Sequence, residues 1–130
     1  MASRFLGDAA SALQEAWLKI LNDYNSHNPG KALIITCTYR SEDEQKTLYA
    51  QGRTKPGAII TYADGDSKKS NHNYYPSRAM DFAVMIGGKI TWDYKEYNVV
   101  GELAVKHGMV WGGDWERFKD RPHIGLPKDD

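Results

Sequence analysis

The run Ala79-Met80-Asp81-Phe82-Ala83-Val84 sets one carboxylate into an apolar stretch. Read as a strand, its alternate residues share a face. Ala79, Asp81 and Ala83 then point one way and Met80, Phe82 and Val84 the other. The small residues beside Asp81 leave room there for a metal and a substrate. Met85-Ile86-Gly87-Gly88-Lys89-Ile90 follows as a hairpin, because Gly-Gly tolerates the positive φ of a tight turn. His72 lies nine positions before Asp81, and His123 lies near the C-terminus. Two His and one Asp make a three-ligand set for zinc with a position left open for water. Asp120, three positions before His123, is placed to activate that water. A chain with four His and 17 Asp+Glu offers such sets by chance, so spacing alone leaves the metal reading open.

The 130 residues suit one domain with its own core. Lys+Arg and Asp+Glu both number 17, which argues against nucleic-acid binding through a broad basic surface. The single Cys37 cannot form an internal disulfide, and its run Leu33-Ile34-Ile35-Thr36-Cys37 suggests a buried, inert thiol. Neither a secretory signal pattern nor a run of transmembrane length is visible, so the expectation is a chain made in a cytoplasm without membrane insertion.

In chain order, Ala9 to Tyr24 reads as a helix, with Leu13, Trp17, Ile20, Leu21 and Tyr24 on one stripe and Asp8 as N-cap. Leu33 to Thr38 is a buried strand. Ser41 with Glu44 forms a capping box for a helix to about Ala50, so Arg40 sits where strand gives way to helix. A short strand is expected over Ala58-Ile59-Ile60-Thr61. Asp64-Gly65-Asp66-Ser67 has a fragment of a calcium-loop pattern but lacks its full ligand series. Asp93 with Glu96 caps a further helix carrying Tyr97, Val100, Leu103 and Ala104, and His107 in its last turn suits the helix dipole. Strands at Met109 to Trp111 and His123 to Leu126 complete an α+β fold. The expectation is a single small domain over residues 1–130, with helices packed on a mainly antiparallel sheet that bears the zinc site.

From about Leu33 to Leu126 the chain resembles the zinc D-alanyl-D-alanine carboxypeptidase and L-alanyl-D-glutamate endopeptidase family, particularly small phage endolysins. Thr38-Tyr39-Arg40-Ser41 with Gln45 and Leu48-Tyr49 is similar to its substrate-side segment. Pro56 to Ala63 resembles the loop leading to the metal motif. Ser70-x-His72 with Ala79-x-Asp81 resembles that motif itself, and Trp111-Gly112-Gly113-Asp114-Trp115 with Asp120-x-Pro122-His123 the closing segment. The step from His72 to Asp81 is longer by two residues than in the commoner family form, running through Tyr75-Pro76-Ser77 as in a phage variant. Asp120 stands where the base is often Glu, and Gly125 where a polar residue often follows the last ligand.

The resemblance implies zinc on His72, Asp81 and His123, with Asp120 as general base. Arg40 would stabilise the oxyanion or hold a substrate carboxylate beside Ser41 and Gln45. Ser70 and Asn73 would orient His72, and Asp114 would either do the same for His123 or cap its turn. The implied activity is cleavage of the L-alanyl-D-glutamate bond of bacterial peptidoglycan by a monomeric phage lysis enzyme without a separate wall-binding domain. Such an enzyme is made in the host cytoplasm and acts in the periplasm after membrane permeabilisation. A D,D-carboxypeptidase and a non-catalytic zinc-containing binding domain are the alternatives.

Overall fold

Helix α1 forms because its apolar residues fall on one stripe. In the computed structural model, which describes residues 2–127, α1 spans Ser11–His27 and buries Leu13, Trp17, Ile20 and Tyr24. It starts later than Asp8 would have placed it. Ala10 holds the N-cap position without a side-chain bond, while Asp8 closes the 3-10 turn Leu6–Asp8 and accepts from the hydroxyls of Ser3 and Tyr75. A long-range use of that carboxylate displaced the local one. Strand β1 follows at Lys31–Cys37, then α2 at Glu42–Ala50. The Ser41–Glu44 capping box is formed in both directions, at 3.1 and 3.0 Å.

The strand expected at Ala58 to Thr61 is not formed. Ile59 and Ile60 are exposed and find no strand to pair with, so their β-propensity, which depends on such packing, has nothing to act on. Asp64 is spent on its own turn. It accepts from the backbone N–H of Asp66 and Lys68 and from the Ser67 hydroxyl, and these donors, the Lys68 N–H foremost, pull its carboxyl down to about 2.

The remaining elements are β2 (Ala79–Ile86), β3 (Lys89–Thr91), α3 (Tyr94–Lys106), β4 (Val110–Trp111) and β5 (His123–Gly125). The sheet order is β1-β2-β5-β4, and β3 pairs with the far end of β2; every pairing is antiparallel. Gly87 and Gly88, at φ 59° and 79°, make the β2–β3 turn. Met80, Phe82 and Val84 are fully buried in one cluster with the apolar stripes of α1 and α3. The Phe82 ring lies 6.0 Å from Trp17 and 5.6 Å from Tyr97. Asp93 caps α3 by accepting from Lys95 N, whereas Glu96 is drawn to Lys31 at 2.7 Å instead of completing a box. His107 ends α3 in a 2.8 Å contact with Asp23 of α1, a structural use of that imidazole.

The register matters most for function. Cys37 pairs with Asp81, and Asp81 with His123, so the three stand in one row across β1, β2 and β5. An irregularity between Ile35 and Cys37 sets the β1 end of that row.

Candidate metal centre

Asp81 occupies the middle of the row, on the face of β2 opposite Phe82. Its Oδ1 is 3.2 Å from His72 Nε2 and 3.1 Å from His123 Nδ1. Both imidazoles are buried, and their rings meet edge to face at 5.2 Å. His72 comes from the 3-10 turn Asn71–Asn73, and His123 opens β5. Asp120 reaches the same place from the turn before β5, its Oδ2 lying 3.9 Å from His123 Nδ1.

The orientation of His72 follows from its second nitrogen. Nδ1 lies 2.7 Å from the Thr38 carbonyl, which can only accept, so Nδ1 carries the N–H. In the neutral ring Nε2 is then a lone pair aimed at Asp81. Ser70 and Asn73 act one step further back. They cap the turn reciprocally, through Ser70 N to Asn73 Oδ1 and His72 N to Ser70 Oγ, and touch its backbone rather than the His72 ring. Asn73 also donates to the Arg40 carbonyl at 2.8 Å, and Arg40 N donates to the His72 carbonyl at 2.8 Å. The His72 turn is thereby fastened to the β1–α2 connection.

Arg40 leans toward the row, with Nη2 3.6 Å from Asp81 Oδ2 and Nη1 donating to Gln45 Oε1 at 2.9 Å. Gln45 is fully buried and donates onward to the Ala63 carbonyl at 2.9 Å. It is therefore a strut behind Arg40, without the open amide that substrate contact requires. The Ser41 hydroxyl is likewise spent on capping α2.

Asp114 is exposed at the end of the 3-10 turn Gly112–Asp114. The side chain packed against His123 is Trp115, at 4.9 Å between rings. The turn carrying Asp120 folds back tightly, with Asp120 N donating to the Gly112 carbonyl at 3.0 Å. A Cβ at Gly112 would overlap the Asp120 carbonyl, so a side chain there would push the turn away. Phe118 sits in the same loop at φ 50°, uncommon for a non-glycine residue, and meets Tyr62 edge to face at 4.5 Å.

The electrostatics follow from this crowding. Burial would hold Asp81 protonated, but His72 and His123 outweigh it and keep its carboxyl far below the usual range. Burial would likewise lower His72, and the Asp81 carboxylate outweighs that, raising the imidazole to about 10. Asp120 moves the other way: burial, then the like charge of Asp81, lifts its carboxyl above the ordinary value. Two imidazole nitrogens and one carboxylate oxygen this close need a proton or a metal cation between them.

The donor set fits zinc. Asp81, Asp120 and His123 offer atoms within 4.8 Å of one another, as do Cys37, His72 and Asp81, and nitrogen, oxygen and thiolate are all zinc ligands. Cys37 is buried as expected, yet it adjoins the site. Its Sγ lies 3.6 Å from His72 Nδ1 and 3.6 Å from Arg40 Nη2.

Comparison with known proteins bears on the same residues. A family model described as D-alanyl-D-alanine carboxypeptidase matches residues 64–126. The peptidoglycan L-alanyl-D-glutamate endopeptidase CwlK of Bacillus subtilis (strain 168) is 45% identical over 109 residues, which are 76% of this chain and 63% of that protein. This chain is similar in sequence to those peptidases. The L-alanyl-D-glutamate peptidase of Listeria phage A118 is 28% identical over 80 residues, 59% of this chain and 28% of that one. The chain thus spans less than two thirds of either curated relative.

Among solved structures, the fold matches the Serratia marcescens L-Ala D-Glu endopeptidase ChiX with a TM-score of 0.73, at 18% identity over 97% of this chain and 88% of that chain. It also matches the vancomycin-resistance D,D-pentapeptidase VanY in complex with Zn(II), at 0.62 and 13% identity, over 91% and 72% of the two chains. The family match contains His72, Asp81, Asp120 and His123. It begins after Arg40, Ser41 and Gln45, which belong to the β1–α2 segment.

Four features of the site were beyond sequence reasoning: the Thr38 carbonyl, the nearness of Cys37, the Trp115 packing and the Tyr62–Phe118 contact. The first is a backbone group and the others join residues far apart in the chain or brought together by a turn, so residue type carried no signal for them.

Proposed function

We propose that this chain is a zinc-dependent peptidoglycan endopeptidase that cleaves the L-alanyl-D-glutamate bond of stem peptides. The observation that carries the reading is the aim of His72 Nε2 and His123 Nδ1 at one oxygen of Asp81, with a second carboxylate, Asp120, beside them. The 45% identity to an endopeptidase of that bond supports the choice of substrate.

In this reading His72, Asp81 and His123 hold the metal, which when bound supplies Lewis acidity to the reacting water and carbonyl. Asp120 accepts a proton from the attacking water on its carboxylate and passes it to the leaving amine. Burial and the like charge of Asp81 raise its carboxyl above the ordinary value, the direction that helps a carboxylate accept a proton. Arg40, braced by Gln45, presents its guanidinium to the developing oxyanion or to a stem-peptide carboxylate. Trp115 and the Thr38 carbonyl hold the two imidazoles in place.

The likeness to a phage peptidase supports a role in host lysis, with the enzyme made in the host cytoplasm and acting on the wall after the membrane is breached. Mass spectrometry of products from purified peptidoglycan tests the activity, with Asp120→Asn as control. Stem peptides beginning at D-glutamate, with L-alanine left on the sugar, are expected. Loss of a terminal D-alanine alone would make the chain a carboxypeptidase. The absence of any product, with zinc bound, would favour a binding domain.

A further inference from the structure

Where β3 runs into α3, two aromatic side chains stand open to solvent. Trp92 is 65% exposed and Tyr94 63%. Each packs against one neighbour. The Trp92 ring lies parallel to the Tyr97 ring, 5.9 Å away at 5°, and the Arg121 guanidinium covers the Tyr94 ring at 3.9 Å. Trp92, Tyr94, Tyr97, Arg121 and Pro122 line a cavity of about 270 Å³. Arg121 also borders a second, of about 510 Å³, which Asn98, Glu102 and Asp114 help to line. The Arg121 Nε is shielded from solvent and has no partner among the described residues.

We propose that this paired groove binds the glycan strand to which the stem peptides are attached. The inference rests on the endopeptidase reading above and extends it. Sugar rings are recognised by stacking their C–H faces on fixed aromatic rings and by bonding their hydroxyl and acetamido groups to both donors and acceptors. The groove offers Trp92 and Tyr94 for the first task, and Arg121, Asn98, Glu102 and Asp114 for the second. Trp, Tyr and Arg are also the residues that dominate binding energy at interfaces. The two carboxylates oppose nucleic acid and anionic lipid, which would otherwise suit an exposed Trp, Tyr and Arg set.

The position argues for the same polymer that enters the metal cleft. Asp120 and Arg121 are consecutive, one reaching His123 and the other Tyr94, so the cleft and the groove share one turn. In the substrate a single L-alanine separates the scissile bond from the sugar.

The test uses the zinc-loaded protein and two substrates, intact peptidoglycan sacculi and the free stem peptide without sugar. Trp92→Ala and Tyr94→Ala are each expected to lower kcat/KM on sacculi about tenfold through KM and to leave the free peptide unaffected. Trp92→Phe, which keeps an aromatic face, should recover most of the loss. Equal losses on both substrates, or none on sacculi, would overturn the proposal. So would a Trp92→Ala loss that tracks a change of oligomeric state by sedimentation, since the groove would then join two copies. Titration with N-acetylglucosamine tetramer, followed by NMR, separates this proposal from the endopeptidase reading. Shifts confined to Trp92, Tyr94 and their neighbours support a glycan groove even if neither substrate is cleaved. No shifts, or shifts elsewhere, contradict it whatever the activity.

Discussion

The two faces of β2 were built by different rules. On one, Met80, Phe82 and Val84 are sealed beneath α1 and α3 in an apolar cluster that any residues of similar volume and pattern would nearly satisfy. On the other, Asp81 is useful only because one register sets Cys37 and His123 on either side of it and a 3-10 turn delivers His72 from outside the sheet. The second face has less latitude in residue type, since its contacts are directional nitrogen–oxygen approaches at 3.1 and 3.2 Å. Stability and chemistry are thus divided between the two sides of one strand, and mutations should sort accordingly.

The largest expected effect is on the polar face. His72→Ala or His123→Ala should lose stoichiometric zinc by elemental analysis and about a thousandfold or more in activity, since Lewis acidity supplies several kcal/mol. Full activity in a metal-free His123→Ala protein would break the division. The matching change on the apolar face is Ile20→Ala, which should cost about 2–5 kcal/mol in urea unfolding and leave turnover per folded molecule unchanged. Asp120→Asn should keep fold and zinc and lose about 100-fold in kcat, the scale of a general base. Gln45→Ala, by unbracing Arg40, should cost about tenfold in rate with zinc retained.

The smallest effect lies far from the site, where His107, then Lys106, hold the Asp23 carboxyl below its ordinary value. A lowered acid pKa stabilises the fold above the unfolded value and loses that contribution as pH falls through the folded one. Asp23→Asn should therefore lower the Tm slightly at neutral pH and make no difference in strong acid.

The apolar face was legible in the sequence because helices and strands write their burial as period and alternation. The stripe of α1 and the alternation of β2 both hold in the structure. Local chemistry was legible where nothing competed with it, as in the Ser41–Glu44 box. It misled where a distant partner intervened: Asp8 went to Ser3 and Tyr75, and Glu96 to Lys31. The four polar residues of the centre could be named from motif and spacing, but their arrangement could not. It depends on an irregularity in β1, a backbone carbonyl and a tight turn across Gly112, none of which residue types disclose. The expected strand at Ala58 failed for a related reason: β-branched residues make a strand only where a partner edge exists.

The central claim is that zinc is held by the two histidines and Asp81, with the neighbouring thiol left out. X-ray absorption at the zinc edge of the loaded protein tests it most directly. The account predicts one zinc with only nitrogen and oxygen neighbours, including two imidazoles, and the same spectrum in Cys37→Ser. A sulfur neighbour near ~2.3 Å that vanishes in Cys37→Ser would contradict it and move the metal toward β1.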